Sequence, residues 1–167
     1  MKGDFVIRTA TLADRTEIRT LLEAAFGQPD EATLVGALVS AGEAVLELVA
    51  ETNGRIIGHI LFSRLTVEGG ERGFRPVALA PLAVAPEHQR LGIGAALVED
   101  AHNRLSEAGE RLSIVLGDPA YYGRFGYAHA RAGAFDSDYQ CDALQALAWG
   151  DAPKRGRLVY PAPFAGM

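Results

Sequence analysis

The sequence predicts a mixed β-sheet with helices packed on its faces, and three observations predict it. Strand-like and helix-like segments alternate along the chain. An Asn53-Gly54 hairpin interrupts that alternation and would be out of place in a doubly wound parallel sheet. Finally, Leu82 to Gly94 runs from an apolar strand through a short turn into a glycine-bearing helix start. At 167 residues, with about half of them apolar, the chain suits one domain over 1–167 with a real hydrophobic core.

Each element follows from local pattern. Phe5 to Arg8 alternates as a first strand. Thr11 with Asp14 three residues on forms a capping box, after which Ile18, Leu21, Leu22 and Ala25 make one helical stripe. A second short helix begins near Asp30, carries Leu34, Ala37 and Leu38, and stops at Gly42. Val45 to Glu51 is a strand. Asn53 and Gly54 tolerate the positive φ angles of a tight turn, so Arg55 to Val67 returns alongside it. That returning strand is apolar on both faces around Ile57, Ile60 and Phe62 and should be central. Gly69, Gly70 and Gly73 mark a loose loop.

Val77 to Ala85 is the next strand, and it contains Pro81. Proline cannot donate to a ladder, which implies an edge, a bulge or a break; the apolar flanks favour a local break. Such a break leaves backbone groups for a ligand. From Leu91 to Ala108, residues Gly94, Leu97, Val98, Ala101 and Leu105 share a helix face, and Gly109 terminates it. Leu112 to Leu116 is a buried strand. Gly117-Asp118-Pro119 turns into a short helix holding Tyr121 and Tyr122, and Gly126-Tyr127 starts another strand. Tyr139 to Trp149 reads as either strand or helix, and Leu158-Val159-Tyr160 as a short final strand.

Composition excludes several roles. The formal charge of −5 argues against nucleic-acid binding, which needs a basic face. No stretch is long and apolar enough for a membrane, and Lys2 and Asp4 open no secretory signal. One cysteine, Cys141, excludes an internal disulfide and fits the cytoplasm; it reads as a partly buried thiol. At Gly92 and Gly94 a phosphate can approach the main chain where a helix presents unpaired N–H groups and the positive end of its dipole. The segment has neither the Lys-Ser/Thr ending of a P-loop nor the third glycine of a dinucleotide fingerprint, so an ATP or NAD domain is disfavoured.

Gln89 to Gly94, Q-R-L-G-I-G, resembles the acetyl-CoA signature Q/R-x-x-G-x-G/A of the GNAT superfamily of N-acetyltransferases. Tyr122 to Tyr127 is similar to that family's Y-E-K-L-G-F segment, and Val115 to Tyr127 to one bacterial subgroup of predicted acetyltransferases. The order of elements agrees from about Phe5 to Ala130. This resemblance implies the acyl-CoA N-acyltransferase fold, a largely antiparallel sheet with a splayed central strand pair and flanking helices. It implies acetyl-CoA as co-substrate, no metal, and an amine acceptor, and it is compatible with a homodimer. Leu82, Ala83 and Val84 would pair with the pantetheine arm. Gln89, Arg90, Leu91, Gly92, Ile93, Gly94 and Ala95 would surround the pyrophosphate, with Arg90 and Arg124 in reach of CoA phosphates. Tyr122 would protonate the departing thiolate; packing under CoA is its alternative role.

Acetyl transfer also needs a neutral amine. An alkylamine of pKa about 10.4 is neutral roughly once in 2,500 molecules at pH 7, a deficit of about 4.6 kcal/mol. Many relatives carry a Glu on the strand before the phosphate loop, but Val77 to Ala85 holds no carboxylate. Glu23, Glu47, Glu51 and His59 are the remaining candidates, yet His59 also reads as a structural histidine and Glu47 and Glu51 as a solvated strand face. Asp118 reads as a helix cap. No Ser or Cys dyad stands out, so direct attack on the thioester is expected. The acceptor pocket should be built by the first two helices and the C-terminal region. A non-catalytic acyl-CoA sensor or partner-binding module is the competing function.

Overall fold

The computed structural model describes residues 4–69 and 73–166; Gly70 of the expected loop lies outside them. A six-stranded sheet is the centre of the fold. Its strands are β1 (Val6–Thr9), β2 (Ala44–Thr52), β3 (Arg55–Arg64), β5 (Val77–Val84), β6 (Leu112–Leu116) and β8 (Leu144–Ala148), in that spatial order. Only β5 and β6 pair in parallel; every other neighbour in this sheet is antiparallel. The mixed, largely antiparallel sheet is thus observed. A smaller sheet joins β4 (Thr66–Glu68), β9 (Gly156–Val159) and β7 (Phe135–Asp136), with β9 in the middle.

The central strand is β3, whose residues Ile56 to Ser63 are all buried. Side chains alternate across it. Gly58 and Phe62 meet helix α3 (Ile93–Glu107), where Leu97, Ile93 and His102 wait. His59 points to the opposite face, where α1 (Arg15–Phe26) lies beside α2 (Asp30–Ser40). Helices therefore cover both faces, and two apolar stripes seal the layers: Ile18, Leu21 and Leu22 from α1, and Leu97, Val98, Ala101 and Leu105 from α3. Burying one such side chain contributes about 1.5–3 kcal/mol.

Three expectations are corrected. Arg55 to Val67 is not one strand: β3 ends at Arg64, buried Leu65 turns the corner, and β4 leaves for the smaller sheet. Apolar continuity alone could not separate a strand from a strand that changes sheets. The expected Thr11–Asp14 capping box is present: it opens a 3-10 turn (Leu12–Asp14) that leads into α1, and Asp14 accepts from the Thr11 N–H at 2.8 Å. Its carboxylate also takes a two-pronged pair from Arg8 at 2.8 and 2.9 Å, which holds its pKa far below the usual carboxylate range. Gly126-Tyr127 begins no strand. Tyr127 is buried against His102 and Ser113, Ala128 makes a single bridge to Ala146, and helix α5 (His129–Ala132) follows. Within Tyr139 to Trp149, the strand alternative holds for Leu144–Ala148.

Pro81 supplies the third correction. Strand β5 runs through it unbroken, with a register shift against β3 between the Ile60–Leu82 and Phe62–Leu79 pairs. Ala80 and Pro81 thus share the place opposite Leu61, a bulge rather than a break. On the other side, β5 pairs with β6 only at Val77–Ser113, Ala78–Ile114 and Leu79–Val115. Beyond Leu79, β5 and β6 part.

Candidate active site

The turn after β5 is shaped by two left-handed residues, Arg90 at φ 65° and Gly92 at φ 87°. Gly92 is the N-cap of α3, which explains why the helix starts at Ile93 and not at Leu91. No side chain caps this end and its first turn holds no acidic residue. The first helical bond here, Ala96 N–H to the Gly92 carbonyl at 3.0 Å, lies beyond Ile93, Gly94 and Ala95, whose N–H groups face the cleft end of the dipole. Gly94 is required for a different reason. A Cβ there would stand 2.8 Å from the Tyr121 hydroxyl.

These residues enclose a cleft of about 580 Å³. Of the ten expected cofactor residues, Leu82, Val84, Gln89, Arg90, Gly92, Ile93, Gly94 and Ala95 line it. Ala83 and Leu91 do not. Ala83 is buried opposite His59, on the face Leu82 and Val84 turn away from, and Leu91 is exposed. Gln89 also ties the turn to the strand by donating its side-chain amide to the Val84 carbonyl at 3.1 Å. Arg124 and His88 join the lining, and Arg124 stacks on the Tyr121 ring at 5.0 Å. Among the described residues, cationic side chains line this cleft and no carboxylate does, despite the acidic balance of the chain. Such a concavity of N–H donors and guanidinium groups fits a phosphate-bearing ligand. Sequence reasoning missed Tyr121 and His88; the small residue at Gly94 was the one signal that something must pack above it.

Leu82 also borders a second cavity, of about 340 Å³, which occupies the parting of β5 and β6. Leu79, Pro81, Val115 and Tyr122 lie on its sheet side. Tyr122 ends the short helix α4 (Pro119–Tyr122), whose N-cap Asp118 accepts from the Ala120 N–H at 2.9 Å, so the cap reading of Asp118 holds. Its ring is half-buried and edge-on to Tyr121 and Tyr127. Burial first, and then neighbouring Tyr121, push the Tyr122 phenol up to about 12, so it stays protonated at neutral pH. The cavity's other wall comes from α1, α2 and the C-terminal segment, with Phe26, Glu31, Leu34, Tyr139, Tyr160 and Phe164. Those are the regions from which an acceptor pocket was expected.

The candidate bases fare differently. Glu47 is not on a solvated face: its carboxylate bonds His59 Nε2 at 2.7 Å and also pairs with Arg15. Burial alone would raise its pKa, but His59 and Arg15 outweigh that and hold it below the ordinary value. His59 is fully buried in this cluster, a structural histidine. Glu51 pairs with Arg8 at 3.1 Å and Glu23 with Arg19 at 3.3 Å. None of the four lines the cavity beside Tyr122. Cys141 is exposed rather than partly buried.

Comparison with known proteins agrees with this geometry. The family described as "Acetyltransferase (GNAT) domain" matches residues 6–130. The uncharacterized N-acetyltransferase YjhQ of Escherichia coli is 37% identical over 125 residues, covering 74% of this chain and 69% of YjhQ. A GNAT family acetyltransferase from Brucella melitensis, solved in complex with acetyl-CoA, superposes with a TM-score of 0.82 at 35% identity, covering 97% of this chain and 99% of that one. Escherichia coli YhbS, solved with CoA, gives 0.87 at 31% identity over 96% of this chain and 91% of that one. Family match, sequence identity and a splayed sheet beside an uncapped helix converge: the chain belongs to the GNAT family of acetyl-CoA-dependent N-acetyltransferases.

Proposed function

We propose that this chain moves acetyl from acetyl-CoA directly to a primary amine of a small molecule or a protein side chain. The observation that carries this reading is the parting of β5 and β6 beyond Leu79, flanked by the uncapped start of α3 and by Tyr122. In it, the N–H groups and cations of Arg90 to Ala95 hold the pyrophosphate, and the strand edge from Leu82 to Val84 guides the pantetheine arm. The thioester then reaches the cavity in the sheet. A neutral amine attacks the carbonyl carbon, the C–N bond forms, and the C–S bond breaks. The departing thiolate takes its proton from the Tyr122 hydroxyl, and the amine loses one to solvent or a carboxylate. Direct attack is favoured because no serine or cysteine lines this cavity among the described residues.

Thiol release from acetyl-CoA in the presence of a panel of amines tests the reading, with intact-protein mass measured during turnover. Release that depends on the amine, with no acetylated protein accumulating, is the expected result. Acetyl-CoA binding without release for any amine would instead indicate a sensor, and an acetyl-protein intermediate would overturn direct attack.

A further inference from the structure

The cavity beside Tyr122 has an asymmetric chemistry. Among the described residues that line it, Glu31 alone carries a formal charge. Glu31 sits in the first turn of α2 and borders the cavity, with its carboxylate accepting from Gln28 Nε2 at 3.1 and 3.2 Å, an exposed contact that does not use up its acceptor capacity. Opposite the sheet the lining is apolar and aromatic. Tyr139 packs edge-on to Tyr160 with ring centroids 4.9 Å apart, and Tyr160 to Phe164 at 5.1 Å, so the three rings form one continuous wall. Phe26 and Leu34 complete it from the helices.

From this we infer that the acceptor is a hydrophobic primary amine with an aryl or branched alkyl body and no anionic group, its ammonium drawn in by Glu31 and its body seated on the Tyr139–Tyr160–Phe164 wall. The inference rests on the transferase reading above and deepens it by naming the acceptor class. An amino acid brings a carboxylate that finds no cationic partner in the lining and faces Glu31 instead, so it is rejected by unpaired burial and by like charge. A polyamine satisfies Glu31 with one end but must desolvate its second ammonium against aromatic rings or leave the wall uncovered. An arylalkylamine meets both demands.

Calorimetry on the full chain saturated with CoA, using phenethylamine, phenylalanine and putrescine as probes, reads this without requiring turnover. Phenethylamine should bind on the order of 100-fold more tightly than phenylalanine and about tenfold more tightly than putrescine. Glu31→Gln should weaken phenethylamine about tenfold by removing a charge-assisted bond, while Glu31→Lys should reverse the preference in favour of phenylalanine. The inference is overturned if none of the three binds, if phenylalanine or putrescine binds as well as phenethylamine, or if Glu31→Gln changes nothing. Thiol release is followed separately. Its absence alongside the expected binding order would remove the transferase reading and leave the assignment of the amine site standing.

Discussion

Gly92 and Gly94 stand two residues apart, and replacing each by alanine should fail for different reasons. At Gly92 a Cβ meets nothing within 4 Å, but φ is 87°, a region that costs an L-residue about 1–2 kcal/mol. For a domain of this size about 1 kcal/mol lowers Tm by roughly 2–4 °C, so Gly92→Ala should melt several degrees lower. Its affinity for acetyl-CoA should change little, because the amides keep their places. At Gly94 the backbone is ordinary, and the helix gains from alanine. The new Cβ, however, lies 2.8 Å from the Tyr121 hydroxyl. Tyr121 cannot step aside freely, since Tyr122 and Phe125 hold it edge-on at 5.0 and 5.4 Å and Arg124 lies over it at 5.0 Å. Overpacking of this kind costs about 1–3 kcal/mol, and Tyr121 forms a wall of the cleft. Gly94→Ala should therefore weaken acetyl-CoA about tenfold, equivalent to about 1.4 kcal/mol, while the helix gain of about 1 kcal/mol offsets part of the overpacking and keeps any fall in Tm small. Isothermal calorimetry and thermal melts on the two variants decide it. Parent-like affinity in Gly94→Ala, or lost affinity with unchanged Tm in Gly92→Ala, would refute the reasoning.

Tyr122→Phe should lower kcat by about 10²–10⁴-fold with acetyl-CoA affinity retained; an unchanged kcat would leave Tyr122 as a packing residue. His102, pushed down to about 4 by burial, binds a proton in the unfolded chain but not in the folded one between about pH 6.5 and 4. Stability should thus fall as pH drops through that window, by up to about 3 kcal/mol, and His102→Gln should flatten the fall in denaturant titrations. A parent-like slope in that variant would assign the effect elsewhere. Glu47→Ala strands buried His59 and the Arg15 guanidinium, and urea unfolding should show a loss of about 3–5 kcal/mol. A loss below about 1 kcal/mol would mean the cluster is replaceable.

What the sequence made legible was local. The run from Leu82 to Gly94 states a strand, a turn and a helix start within a dozen residues, and the cleft forms from that same stretch. The hairpin at Asn53-Gly54 was equally readable, as was the central place of β3. Relations between distant segments were not. Glu47 sits in an alternating strand like many solvated carboxylates, and only the approach of α1 shows that Arg15 and His59 enclose it. Leu65 looks like one more strand residue until the smaller sheet takes up Thr66–Glu68. Pro81 announced a disturbance, but whether the ladder would break or bulge was decided by β3, which stays paired on both sides of it. Glu31 gave no signal beyond a favourable charge at a helix start, because its significance lies in Tyr139, Tyr160 and Phe164 arriving from the far end of the chain.

The aromatic wall has a consequence for how the molecule can diversify. The middle of the chain builds the cleft at the start of α3 almost by itself, whereas the aromatic wall is stitched from α1, α2 and the segment from Tyr139 to Phe164. On the proposed reading, substitutions in α1, α2 or that segment should retune which nucleophile is admitted without disturbing the grip on the thioester. Tyr160→Ala should accordingly yield a protein that still holds its donor but chooses less sharply among acceptors.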